Sequence, residues 1–375
     1  MHPLCITRLA VRDVRNLESV DVEPAARFNV IHGDNGQGKT NLIEALYVAC
    51  TSKSFRANKT IEVVRRGVAG SAEGGTAQEP VRNASVRLVI DEDGAKREQS
   101  VGLEARGHRH LRIDGARPKT SAIYASKTPV VVFSPASLTL TMGSSKERRM
   151  LLDRVALYVD PASLVEVASY QRAVRERQRA LEERGVHARD LEDWEELVVR
   201  HGVSVMNARE AASVSVLEAT REAFHEIAAE GLAFAGSYAP SAPREADAYR
   251  AALAASRPRD VRRGSASIGP HRDDLVLELA TMPARLTASQ GQHRALVLSL
   301  KAAELAVIGR ARGVRPILLL DDVSSELDAD RTRALFSFLA SQRGQVFLTT
   351  TRPELIPFEL EGRLDFRIVA GRLTR

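Results

Sequence analysis

The sequence predicts an α/β domain split by a long helical insertion, and three stretches carry that expectation. Residues 28–50 read as a buried strand, a glycine-rich loop and an apolar-periodic helix. Residues 317–322 read as a second buried strand that ends in two acids. Between them, beyond Pro161, apolar residues recur at 3–4 spacing over two long segments. Strand patterns on both sides of a helical block imply one sheet that is completed only after the insertion.

In chain order, Ile6, Leu9, Val11, Val14, Leu17, Val20 and Val22 fit short strands joined by a turn. Phe28-Asn29-Val30-Ile31 is a buried strand, and Leu42, Ile43, Leu46 and Cys50 then space as a helix. From 81 to 114 the period returns to two through Val86, Leu88 and Ile90, with Asp93-Gly94 as the hairpin turn. The Gly- and Ser-rich residues 70–75 have the composition of an exposed loop. A short apolar strand at 130–133 ends at Ser134-Pro135.

Leu164, Val167, Gln171, Val174, Gln178 and Leu181 lie on one helical seam. Gly185 interrupts it, and Asp190 is the expected N-cap of a second helix carrying Leu191, Trp194, Val198, Val205, Ala212 and Ala219. At roughly 23 residues each helix spans about 35 Å, and a packed pair and a protruding coiled coil fit the pattern equally. Residues 236–259, rich in Ala, Ser and Pro, are expected to lead back to an α/β region. From Leu275 the order reads strand, helix, strand, helix, strand, the last two strands at 317–320 and 345–349. The expected division is a split head at 1–145 and 265–375, with a helical lobe at 146–264.

Composition narrows the class only mildly. The 375 residues are 44% hydrophobic, enough for a sizeable core. They carry 54 basic and 48 acidic side chains, a net charge of +6 that suits a polyanionic partner without requiring one. Cys5 and Cys50 sit in apolar stretches without metal-ligand spacing and are expected to be buried thiols. No apolar run reaches the roughly 18 residues of a membrane span, and residues 1–7 lack the pattern of a secretion signal. The expected location is the cytoplasm, with no membrane partner.

The chemistry lies in four motifs. Gly33-Asp34-Asn35-Gly36-Gln37-Gly38-Lys39-Thr40 is a complete Walker A loop between strand and helix. Its glycines let successive N–H groups and the helix N-terminus face phosphate oxygens. Lys39 supplies charge to the β- and γ-phosphates, and Thr40 a hydroxyl to Mg²⁺. Chance would supply the four fixed positions in only about one chain in a hundred of this length. Ile317 to Leu320 followed by Asp321-Asp322 has the Walker B form. Asp321 is placed to hold Mg²⁺, and Asp322 to polarise an attacking water.

Ala288-Ser289-Gln290-Gly291-Gln292, ahead of a helix, resembles the ABC signature that binds the γ-phosphate held by an opposite subunit. Ser324-Ser325-Glu326-Leu327-Asp328 resembles the D-loop that crosses between subunits. The order and spacing of all four motifs separate this chain from Ras-like and kinase-type P-loop enzymes. Leu9-Ala10-Val11-Arg12-Asp13-Val14-Arg15-Asn16-Leu17 resembles the opening strand of the RecF family and the SMC heads. Phe133-Ser134-Pro135, and residues 143–153 with Glu147-Arg148-Arg149 and Leu152-Asp153, resemble the RecF segment near the Q-loop, though the proline expected near Ser145 is missing. Gly269-Pro270-His271-Arg272-Asp273-Asp274 resembles the RecF motif ahead of the signature helix; a catalytic role for His271 and Arg272 and a structural charge network with Asp273 and Asp274 both remain open.

The resemblance implies an ABC/SMC-type P-loop ATPase head with an inserted, short coiled-coil-like helical lobe. It implies ATP and Mg²⁺ as cofactors, with Lys39, Asp321, Asp322 and Ser289 in catalysis. Residues 33–40, Gly291, Gln292 and Asp328 would hold nucleotide, and Thr40 and Asp321 the metal. The implied role is DNA repair and replication restart in the SOS response: an ATP-dependent homodimer on single- and double-stranded DNA, at gaps or junctions, working with RecR and RecO to load RecA. Weak, DNA-stimulated hydrolysis is expected, because Asp322 is shorter than the usual Glu and Thr349-Thr350-Thr351 stands where transporters place a switch histidine. That departure disfavours a transporter ATPase subunit. An SMC-like tether would need a coil of hundreds of residues. Expected phosphate contacts on DNA are Arg56, Lys59, Arg65, Arg66, Lys146, Arg148 and Arg149.

Overall fold

The computed structural model describes residues 1–65, 83–228, 232–322, 343–356 and 361–375. They form two compact units, Met1–Ala136 with Arg312–Arg375, and Ser137–Ala311.

In the first unit, a six-stranded sheet places the Walker A strand Phe28–His32 between Val346–Thr350 and Arg363–Val369. Beyond Val346–Thr350 lie the Walker B strand Ile317–Leu320 and then Val130–Phe133. These five are parallel, and Val130–Phe133 and Ile317–Leu320 are wholly apolar and buried, as strands covered on both faces must be. Arg372–Thr374 adds an antiparallel edge.

A second sheet is antiparallel, in the order Leu17–Val22, Leu4–Val14, Asn83–Glu92, Ala95–Glu104 and Arg109–Ile113. The expected Asp93-Gly94 turn is present, with φ of 56° and 87° at its two central residues, the left-handed pair a two-residue hairpin requires. The helix Lys39–Thr51 is buried nearly all round. Leu9, Val11, Val86 and Leu88 of the antiparallel sheet and Ile31, Leu319 and Phe347 of the parallel one join it in a single core. Cys50 lies within that core and its thiol is pushed up to about 12 by burial, whereas Cys5 is only half-buried.

In the second unit the helix Ala162–Arg184 has the expected length. Its partner Leu191–Ile227 runs for 37 residues, about 55 Å, well beyond the expected span. Asp190 does not cap it. Its carboxylate is taken by Arg184 Nη2 at 2.7 Å and Trp194 Nε1 at 3.0 Å.

Across residues 236–259 the strand Phe234–Ala239 is followed by the helix Ala246–Arg263, which tolerates Pro258 inside it. Tyr249 and Leu253 of this helix pack with Tyr170, Ala173, Val198 and Met206, so the helix pair is packed rather than free. Arg177 is fully buried at that junction, donating to Glu195, Asp260, Ser256 and the Leu253 carbonyl. Helices of this unit thus continue past the expected lobe boundary, and the signature helix packs with them. Among the described residues no helix is long and apolar enough to cross a membrane.

Candidate nucleotide site

The Walker A loop is shaped by what surrounds it. Gly33 has φ 153°, and a Cβ there would stand 2.4 Å from the Ile368 carbonyl oxygen, so no side chain fits. Gly38 has φ 116° and lies against the Asn16 carboxamide. Lys39 Nζ donates to the carbonyls of Gly33 at 2.6 Å and Asp34 at 2.9 Å, spanning the mouth of the loop. Burial lowers the pKa of this ammonium, against the raising influence of Asp322, Asp321 and Asp34.

The Walker B acids meet the loop from the next strand but one, with Val346–Thr350 between them. Thr40 Oγ1 donates to Asp321 Oδ1 at 2.9 Å, and Thr349 Oγ1 donates to the same oxygen at 2.9 Å. Burial raises the Asp321 carboxyl, and these two hydroxyls partly oppose it. A carboxylate and a hydroxyl side by side are hard oxygen donors of the kind Mg²⁺ takes from protein, so the pair fits the implied ion. Asp322 sits at φ 48°, and its backbone N–H donates to Thr349 Oγ1 at 2.9 Å. Thr349 therefore fixes both acids, a role that residue type alone does not separate from that of Thr350, which accepts from the Arg352 N–H.

Glu44, one turn along the Walker A helix, is fully buried. Burial works against its carboxylate, but Arg15, Arg56 and Ser54 outweigh that and lower its pKa. Arg15 binds both oxygens, at 2.8 and 2.9 Å. An acid amid Leu, Ile and Ala was the only available signal of this buried cluster.

The signature lies in the second unit, at the start of the helix Gln290–Arg312. Ser289 Oγ accepts from Gln292 N–H at 3.2 Å, and Gln292 Oε1 accepts from Ser289 N–H at 2.7 Å, a reciprocal cap. Ser289 is exposed and Gly291 half-buried. The D-loop, Asp328 included, lies outside the described residues.

Asp273 and Asp274 do form a charge network, but not with His271 and Arg272. Asp273 accepts from Arg209 at 3.0 Å, from the Tyr238 hydroxyl and from Ser241 N–H at 2.8 Å. Asp274 takes Arg148 through both oxygens at 2.7 and 2.9 Å. His271 Nε2 faces the Ala266 carbonyl at 2.9 Å and therefore carries the proton, so Nδ1 accepts from Tyr170 at 2.7 Å. Burial lowers its pKa. Arg272 donates to the same Ala266 carbonyl at 3.1 Å.

Several expected DNA contacts are otherwise engaged. Arg148 is buried on Asp274, Arg149 donates to the Asp273 carbonyl at 2.7 Å, and Arg56 is held by Glu44 and Asn41. Arg65 pairs with Asp13 at 3.5 Å and Glu18 at 3.3 Å. Lys59 and Lys146 are exposed, and Arg66 lies outside the described residues.

Comparison with known proteins agrees with this geometry. The family model described as the RecF/RecN/SMC N terminal domain matches residues 5–359. A DNA replication and repair protein RecF from Anaeromyxobacter sp. (strain Fw109-5) is 39% identical over 359 residues, covering 93% of this chain and 92% of the relative. A solved structure of the recombination mediator protein RecF-ATPrS in the RecFOR pathway superposes with a TM-score of 0.86 at 25% identity, covering 99% of this chain and 98% of that one. A RecF-ATP structure of the same pathway gives 0.84 at 25% identity, covering 100% and 99%. By the span of the family match and the identity to these relatives, the chain belongs to the RecF family of the RecF/RecN/SMC group.

Proposed function

We propose that this protein is an ATP-dependent DNA-binding recombination mediator that dimerises on ATP at gapped or junction DNA and helps load the recombinase during repair and replication restart. The observation that carries the reading is the contact of Thr40 with Asp321 beside the Lys39 loop. Shared membership with RecF proteins solved with ATP supports it. RecR, RecO and RecA are the partners this membership suggests. The functional head would be 1–145 with 265–375, because the signature must act with the head.

In this mechanism Lys39 exchanges its loop carbonyls for phosphate oxygens, and residues 33–40 wrap the phosphates. Thr40 and Asp321 hold Mg²⁺, which supplies charge neutralisation at the transferred phosphoryl group. Asp322 orients the attacking water. Ser289, Gly291 and Gln292 of a second copy, with its Asp328, close the site from the far side, giving a two-fold dimer with two nucleotides. The exposure of Ser289 and Gln290 at the start of the signature helix supports that role.

DNA would be held through phosphates, with steep salt dependence. Lys59 and Arg109 line one concavity with Ser54, Asn58 and Thr60, and these two are the favoured contacts. Hydrolysis would be weak and raised by DNA, and it would time release of the clamp.

The test is sedimentation with and without ATP, and dwell time on gapped duplex. Wild type should dimerise only with ATP, and Ser289→Arg should bind ATP yet stay monomeric. Asp322→Asn should hold DNA longer than wild type. A dimer that persists without nucleotide, or an unchanged dwell time when hydrolysis is blocked, contradicts the mechanism.

A further inference from the structure

We propose that Asn16 and Asn41 are positioning residues for nucleotide binding, linked to Arg56 in a one-directional chain of hydrogen bonds that ends on the Gln37 carbonyl and holds the phosphate loop in its curl. The proposal rests on the ATP-binding reading above.

The direction of the chain is fixed at both ends. The Arg56 guanidinium can only donate, and it donates to Asn41 Oδ1. The Gln37 carbonyl can only accept, and it accepts from Asn16 Nδ2 at 3.1 Å. The middle bond must then run from Asn41 Nδ2 to Asn16 Oδ1, as it does at 2.6 Å. Carboxamide ends are hard to tell apart by shape, but here each orientation is forced by its neighbours. Bonds of one polarity in series strengthen one another.

Both ends are anchored. Arg56 Nε donates to buried Glu44 at 2.9 Å, and Arg15 grips the same acid. Arg15 and Asn16 form the tight turn between Leu4–Val14 and Leu17–Val22. Asp13 and Arg15 hold φ of 53° and 55°, a left-handed conformation that is strained for non-glycine residues. That strained turn aims Arg15 at Glu44 and Asn16 at the loop. Beside Asn16, Gly371 N–H donates to the same Gln37 carbonyl at 2.8 Å, and Ala370 N–H to Gln37 Oε1 at 2.6 Å.

The consequence follows from the planar peptide. In a trans peptide the C=O and the next N–H point in opposite directions. Pinning the Gln37 carbonyl from outside therefore turns the Gly38 N–H inward, toward the phosphates. A Cβ on Gly38 would lie 2.7 Å from Asn16 Oδ1, so the carboxamide also backs the loop by contact.

The experiment uses the full chain and measures affinity for ATP and for ADP, with kcat at saturating ATP and thermal stability. Asn16→Asp keeps the shape but sets a carboxylate against the Gln37 carbonyl. Asn41→Asp keeps the acceptor for Arg56 and loses the donor to Asn16, and it serves alone if Asn16→Asp fails to fold. Both variants should bind ATP and ADP about tenfold more weakly or worse, with kcat retained. Arg8→Ala, which breaks an exposed pair with Asp21 in the same sheet, should match wild type. Loss of ATP affinity alone, a fall in kcat alone, or lower stability with unchanged affinity overturns the proposal. Wild type that binds neither nucleotide overturns the ATP reading and this proposal with it; wild type that binds, with variants undiminished, overturns this proposal alone.

Discussion

Two charged clusters in this molecule are held in opposite ways. At the Walker motifs, Lys39 rests on neutral carbonyls and Asp321 on neutral hydroxyls. At residues 269–274, Asp273 faces Arg209 and Asp274 faces Arg148. Neutral partners are exchanged readily for a ligand of opposite charge, whereas a buried ion pair is not. The first arrangement suits a site that must open to phosphate and metal; the second suits a joint.

Arg209→Ala gives the sharpest test of that contrast. It strands Asp153 and Asp273, and the loss should be about 3–5 kcal/mol of stability, read as a lower melting temperature. Nucleotide affinity of the folded protein should be unchanged. Lys39→Met should do the reverse: ATP affinity falls by about a hundredfold in calorimetry while the nucleotide-free protein melts no lower. Burial disfavours the charged form of Lys39, and this offsets the two hydrogen bonds to loop carbonyls that the substitution removes. If Lys39→Met destabilises more than Arg209→Ala, the contrast fails.

A smaller effect concerns Glu304 on the signature helix. Burial alone would raise its carboxyl, but the charges of Arg154 and Lys301 hold it at about 2. A carboxyl depressed in the folded state stabilises above its unfolded value and loses that contribution as pH falls through the folded one. The stability advantage of wild type over Glu304→Gln should therefore be full near neutrality and shrink as pH falls from about 4.5 toward 2. An advantage independent of pH would mean that Glu304 acts by shape. Asp190→Ala should barely move the melting temperature, because the carboxylate makes no capping bond and its Arg184 partner is exposed.

The Walker B strand was legible because four apolar residues in a row have few other uses. The Walker A loop was legible because its glycines have no substitutes. What stayed hidden was pairing. Arg148 reads like any surface cation until Asp274, 126 positions away, is brought against it. Asp190 has the composition of a cap, and two side chains compete for it before the backbone can. The helix Ala246–Arg263 was masked by a proline that helix propensity alone would reject.

The contact of Gln37 with Ala370 spans 333 positions, and Gln345 binds Ile6 across 339. During synthesis at ordinary speed, residue 370 follows residue 37 by on the order of tens of seconds. For that interval the nascent chain carries the whole glycine loop without the backbone groups that hold it from behind. ATP cannot then template early folding, and a ribosome-bound intermediate would have to be kept from aggregating by other means. A protein whose nucleotide grip is finished by its last strands gains one safeguard from this order: truncated chains should not bind ATP tightly.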